Sequence, residues 1–223
     1  MAGHLYLGTF AAVGVLAAMA LGVPRTASSA GINLPARSVR QLGLTVDGFP
    51  SRATLTDRRI DRSAKAVDRE SLLATTPAQS TQGRRYAAAG FYGSFYQYTL
   101  LPRYTVDKVK YGRSVQLMAT IFPSEAAAVK AWQDDVAEVV ATYGCTQVSD
   151  HDVPAHQFTC TFDSGASNAF VFAQRGNVEF ITYGFVDYIA PSSVALALAD
   201  AVRVARNELF HVLHIVAVAN GAR

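Results

Sequence analysis

Charge is scarce in this chain. Asp, Glu, Lys and Arg together make up 17% of its 223 residues, and the formal net charge is only +3. That balance gives little electrostatic grip on a polyphosphate, and no arginine-rich face interleaved with aromatics is present, so nucleic acid is excluded as a partner. Cysteine is scarcer still: Cys145 and Cys160 are the only two. Neither follows the apolar N-terminal run, which argues against a lipid anchor on a leader cysteine. The chain also lacks a G-x-S-x-G elbow, a phosphate-binding loop and a dinucleotide fingerprint, the common signatures of nucleophilic hydrolysis and nucleotide binding.

What is plentiful is apolar side chain, at half of all residues. That is enough for a real core in one domain and is incompatible with general disorder. Three stretches differ in character. Residues 1–30 hold an uncharged run from Leu5 to Val23, then Pro24, Arg25 and small residues up to Ala30. They read as a secretory signal peptide cleaved after Ala30. The leader has no Lys or Arg before the run, and the run is long enough to span a bilayer. The alternatives are therefore an uncleaved membrane anchor through residues 1–23 and a buried helix. Residues 31–85 read as a polar lead-in with Pro35, Pro50 and Pro77. Their charged run from Asp57 to Glu70 nearly neutralises itself, as a solvated helix face or loose connector does; an arginine cluster for an anionic surface is the sharper reading. Leu42, Leu44 and Val46 alternate with Gly43 and Thr45, which predicts a short strand. Residues 86–223 carry the patterning of the folded domain.

The best-determined part of that domain runs from Arg113 to Cys145. Val115, Leu117, Ala119 and Ile121 alternate with Gln116, Met118, Thr120 and Phe122, the period of a half-buried strand. Pro123 stops the strand, Ser124 is a good N-cap, and Glu125 suits the positive end of a helix. Val129, Trp132, Val136, Val139, Val140 and Tyr143 then form one apolar stripe, with Lys130, Asp134, Asp135 and Glu138 largely on the other side. Trp132, the single tryptophan, belongs to this core stripe. Gly144 is placed to end the helix.

Around this centre, GFYGSFYQYTLL reads as an aromatic strand. Tyr92, Tyr96 and Tyr98 share one of its faces and are the candidate binding residues, since a row of exposed tyrosines can stack on a sugar or a hydrophobic partner. Cross-strand pairing inside the sheet is the plainer reading. Residues 156–162, Ala169–Ala173 and Val178–Val186 are further strands, the last two joined by a tight turn at Gly176-Asn177. Pro191-Ser192-Ser193 opens a second helix with a stripe at Val194, Leu198, Val202, Ala205, Leu209, Leu213 and Val216. Its end, Leu209–Ala219, is apolar on nearly all sides, so some of it should be covered by residues 31–60 or a second copy of the chain, which are favoured over a membrane surface because the tail lacks lysine and arginine; a frayed terminus that tolerates apolar residues is the plainer reading. Cys145 and Cys160 most simply form one disulfide in an exported protein. Asp150, His151, Asp152 and His156 lie together between the cysteines, and His211 and His214 share a helix face. A zinc site needs three or four ligands in place, so no metal and no cofactor are assigned to either set.

The export signal, the Gly-aromatic strand GFYGSFYQY, the strand ending FPSEAAAVKAW and the strand pair turning at QRGNV together resemble a broad group of uncharacterised secreted bacterial proteins and lipoproteins. They are also distantly similar to the extracellular sensor domains of actinobacterial receptor kinases. The resemblance covers about residues 86–210. It implies an antiparallel sheet packed on helices and carries over no catalytic residue. The expectation is an α+β fold: an antiparallel sheet of four or five strands, with two main helices, near 124–143 and 192–216, packed on one face. The expected function is a non-catalytic binding or sensing module, secreted or held at the cell envelope, for an unknown ligand or protein partner. The alternative is a secreted hydrolase or metal-dependent enzyme with an unrecognised site.

Overall fold

Element boundaries follow the capping chemistry of the sequence. Ser124 stands in extended conformation and its hydroxyl accepts the Ala127 N–H at 3.2 Å, opening α3 (Glu125–Tyr143). Gly144 closes that helix in the left-handed region, at φ 57°, where a side chain would be strained. Ser193 turns back on Ala190 and Tyr188 at the start of α4 (Pro191–Ala219). The computed structural model describes residues 32–49, 52–74, 79–148, 153 and 155–219. The predicted signal or anchor segment and the Asp150, His151, Asp152 group lie outside them.

Residues 32–49 run as an irregular strap with 3-10 turns at Ala36–Gln41 and Val46–Gly48. The strand predicted over 42–46 is not formed. Its alternate leucines instead face down into the core, and Leu44 hydrogen-bonds the Gln97 side chain through both its N–H and its C=O, at 3.0 and 2.9 Å. The strap is followed by β1 (Thr54–Asp61), α1 (Ala64–Glu70), α2 (Gln82–Ala88) and β2 (Gly93–Leu100). A small separate hairpin, β3 (Tyr104–Val106) and β4 (Val109–Tyr111), leads to β5 (Arg113–Ile121) and α3. Then come β6 (Thr146–Gln147), β7 (His156–Asp163), β8 (Ser167–Arg175), β9 (Val178–Val186) and α4. Residues Gly31–Arg223 form one compact unit. Cys145 and Cys160 are joined as a disulfide that ties the end of α3 to β7.

The main sheet is wholly antiparallel and has seven strands in the order β1-β2-β5-β9-β8-β7-β6. This corrects the expectation of four or five. The additional strands are the two edges. β1 comes from the charged run, TLTDRRID, and an edge strand tolerates such charge because only one of its sides is paired. β6 has just two residues.

The expectation that both main helices share one face is also corrected. Alternate residues of a strand face opposite ways. Val115, Leu117, Ala119 and Ile121 of β5 pack with Val178 and Phe180 against α4 and the strap. Met118 joins Ile181, Phe170 and Phe172 against α3, with Val67 of α1 and Tyr86 of α2 in the same cluster. The strand predicted as half-buried is therefore covered on both sides, in a three-layer arrangement. α4 lies close to the sheet because β9 has Gly184 there; a Cβ at that position would meet the Ala197 carbonyl oxygen at 2.0 Å. Thr182 donates to the Ala201 carbonyl at 2.8 Å.

Both helices are turned by about one position from the faces read in the sequence. α3 buries Ala128, Ala131, Asp135 and Val139, while Trp132 and Val136 are half-buried flanks and Val140 is exposed. α4 buries Ala197, Ala201, Val204, Ala205, Leu209, Val212 and Ile215. The small alanines set the approach, and the larger valines and leucines fill the margins. One side of the apolar tail of α4 is covered by the same chain, where Leu209, Val212 and Ile215 pack with Ile32, Leu34, Leu42, Leu44 and Phe49 of the strap, while Phe210 and Val218 on its outer side stay exposed. Polar contacts pin that strap, with Asn207 donating to the Gly48 carbonyl at 2.6 Å and Asn177 bonded to both the N–H and the C=O of Leu34, at 2.7 and 2.9 Å.

Candidate functional site

On the α3 side, register places the side chains of the sheet in rows. One row runs Asp57, Tyr98, Gln116, Tyr183 across β1, β2, β5 and β9. The next runs Arg59, Tyr96, Met118, Ile181. α3 lies over β8 and β9, so the β2 and β5 end of the first row is left partly open. Tyr98, Gln116, Tyr183 and Phe185 are all half-buried, and Leu100 at the margin is 44% exposed.

Of the three candidate tyrosines, Tyr96 and Tyr98 sit together on this face. Tyr96 is buried, and its hydroxyl donates to Gln116 Oε1 at 2.8 Å. The Arg59 guanidinium stands over its ring, 5.3 Å from the centroid. Arg59 also pairs with Asp57 and with Glu70 of α1, and Arg69 pairs with Glu70 in turn, so two arginines and two carboxylates cancel locally at this rim. Burial, with the Glu70 charge adding, pushes the Tyr96 hydroxyl up to about 12, and burial pushes Tyr183 higher, so both stay protonated. Tyr92 stands one residue before β2 and is 37% exposed. At roughly 3.3 Å per residue it lies about 20 Å along the chain from Tyr98, too far for one small ligand to touch both.

A second polar group lies deeper on the same side, and the sequence reading did not find it. Asp135 of α3, Tyr86 and Gln82 of α2, and Glu179 of β9 are all buried. Tyr86 Oη is 2.6 Å from Asp135 Oδ2 and 2.9 Å from Glu179 Oε2. Gln82 Nε2 donates to Asp135 Oδ2 at 2.5 Å and to the Tyr86 hydroxyl oxygen at 2.9 Å. Arg85 bridges Asp135 and Glu138. Burial pushes the Asp135 carboxyl up to about 6, against the pull of Arg85, and pushes Glu179 well above the ordinary range, with the Asp135 charge adding. The one signal in the sequence was Glu179 itself, a lone acid in the otherwise apolar VEFITYGFV. Asp135 had none, because helical spacing alone assigns it to the polar side.

Of the metal candidates, His156, His211 and His214 are among the described residues. The His211 ring nitrogen Nε2 is 2.6 Å from the Gln41 carbonyl, as a strap anchor, and His214 is exposed. Among the described residues no group of three or more His, Cys, Asp or Glu is placed to hold a metal, and no helix is long and apolar enough to cross a membrane.

The architecture is thus of the α+β class, an antiparallel sheet between helical layers. No family model matches the chain, and no curated protein matches it. Among solved structures it is similar to the extracellular domain of PknH from Mycobacterium tuberculosis, with a TM-score of 0.47 and 14% identity over 82% of this chain and 93% of that one.

Proposed function

We propose that this protein is a non-catalytic binding module of the cell envelope, and that its binding surface is the open part of the α3 face around Tyr98, Gln116 and Tyr183. Residues 1–30 serve as its export signal or membrane anchor. The Cys145–Cys160 disulfide suits an oxidising, extracytoplasmic compartment. The observation that carries the reading is the half-open row itself, where aromatic rings alternate with amide and hydroxyl groups and the nearest charges are paired with each other. A charged ligand finds no free counter-charge there. A purely apolar one takes water from the half-buried Gln116 amide and Tyr98 hydroxyl and returns no hydrogen bond, while the Tyr96 and Tyr183 hydroxyls are already held by Gln116 and Asn168. A neutral ligand with both apolar and hydroxylated faces, such as a sugar ring, suits both parts. The buried Asp135 and Glu179 carboxyls face no solvent-accessible space, so acid–base chemistry on a substrate is the less favoured use of this face.

The test is saturation-transfer NMR with neutral di- and oligosaccharides on the exported protein. Transfer to at least one sugar is expected, lost in Tyr98→Ala and partly kept in Tyr98→Phe. An unchanged signal in Tyr98→Ala, or no transfer to any sugar, overturns the proposal.

A further inference from the structure

Beyond this binding surface, we infer that Asp135, Tyr86 and Glu179 form a one-proton site, with Glu179 held as the neutral acid and the proton locking the α2–α3 cover onto the sheet. The argument is a count of hydrogens. A tyrosine hydroxyl has one proton to donate and two lone pairs to accept with. Three groups surround Tyr86 Oη: Gln82 Nε2 at 2.9 Å, Asp135 Oδ2 at 2.6 Å and Glu179 Oε2 at 2.9 Å. Gln82 Nε2 is a donor and takes one lone pair. The single proton cannot serve both carboxyls. The 2.6 Å contact has the length of a hydroxyl bonded to a carboxylate, so it goes to Asp135. Asp135 is also the carboxyl that receives Gln82 and Arg85. Glu179 then fills the remaining lone pair only as a donor, which requires its own proton. Every hydrogen and lone pair at Tyr86 is thereby used.

Charge gives the same result. Facing Glu179 from α2 are Arg85 and Tyr86; from α3 come Asp135 and, near Arg85, Glu138, with Asp134 further out adding negative charge. The strand neighbours of Glu179 are Thr120 of β5 and Gln174 of β8, both uncharged. α1 brings Asp68, which is occupied with the Gly83 N–H at 2.7 Å and with Ser80. One cation therefore answers the buried Asp135 and half-buried Glu138, and an ionised Glu179 would be an uncompensated charge with Oε1 unbonded. When the proton leaves, α2 is pushed off the sheet.

The sign of the pH dependence follows. A carboxyl raised on folding keeps a proton that the unfolded chain releases above about its ordinary 4.5, so this site destabilises the fold progressively as pH rises from there. Glu208 on the opposite face, pushed up to about 8 by burial, adds its own loss over pH 4.5–8 and has to be removed separately. Infrared spectra of the wild-type protein should keep a protonated-carboxyl band at pH 7 that survives Glu208→Gln and vanishes when Glu179→Gln is added to that variant. In the Glu208→Gln background, the denaturation midpoint should fall between pH 6.5 and 8.5, above the range in which Asp135, pushed up to about 6, adds its own loss, and adding Glu179→Gln should remove most of that fall. Amide protection over residues 82–88 should drop with the midpoint. A band at pH 7 that is absent from Glu208→Gln, or that is unaffected when Glu179→Gln is added to it, overturns the assignment, as does an equal fall with and without Glu179. If Glu179→Gln does not fold, the presence or absence of the band in Glu208→Gln at pH 7 decides it alone.

Discussion

Each face of the sheet buries an aspartate of its covering helix under one arginine, and the two pairs are built differently. On the α4 face, Arg113 of β5 grips Asp200 with two parallel bonds, Nε to Oδ2 at 2.7 Å and Nη2 to Oδ1 at 2.6 Å. The charges cancel within that pair. On the α3 face, Arg85 is divided between Asp135 and Glu138, and Asp135 in turn lies one hydroxyl away from Glu179. One arginine there answers two carboxylates while a third carboxyl stays neutral. The faces also differ in closure. The strap and α4 seal one side with a continuous apolar cluster, whereas α1, α2 and α3 leave the β2–β5 tyrosine row partly open. Each face thus carries one buried carboxyl without a paired cation, Glu208 under the strap and Glu179 under α2, so closure is what separates them: the sealed face suits a structural role and the half-open aromatic row suits binding.

The largest effect that would sharpen this contrast is loss of Arg85. Arg85→Ala leaves Asp135 buried and unpaired and should cost about 3–5 kcal/mol in chemical denaturation. Arg113→Ala should cost a similar amount through Asp200. Substituting both cysteines by alanine should cost about 3 kcal/mol, since the bridge closes a short loop at the end of α3, and thiol labelling of the denatured, unreduced wild-type protein should find no free cysteine. Equal stability with and without the bridge would mean that β7 holds α3 without it. Ser124→Ala removes one N-cap bond and should cost about 1 kcal/mol, the smallest of these effects and confined to α3.

Much of this fold was legible in the sequence, and the failures have a common physical cause. The strand–Pro-Ser–helix unit, the Gly176-Asn177 turn and the cysteine pair are local patterns, and local chemistry dictates them. The rotation of both helices was not legible, because apolar spacing cannot distinguish a face of alanines and one acid from the valines beside it. Only the close approach at Gly184, a tertiary fact, favours the alanines on α4. The edge strand β1 was hidden by its charge, since an edge has no need of an apolar stripe. Tyr96 and Tyr98 could be placed on one face from alternation alone. Tyr183 joins them only through the pairing of β5 with β9.

The measurement that tests the division between the two faces most directly is amide and side-chain NMR mapping of the exported protein during titration with a neutral oligosaccharide that gives saturation transfer. The account predicts shifts concentrated at Tyr98, Gln116 and Tyr183, with α4 and the strap silent. Shifts centred on the outer side of α4, where Phe210 is 56% exposed, with none in the tyrosine row, would contradict it.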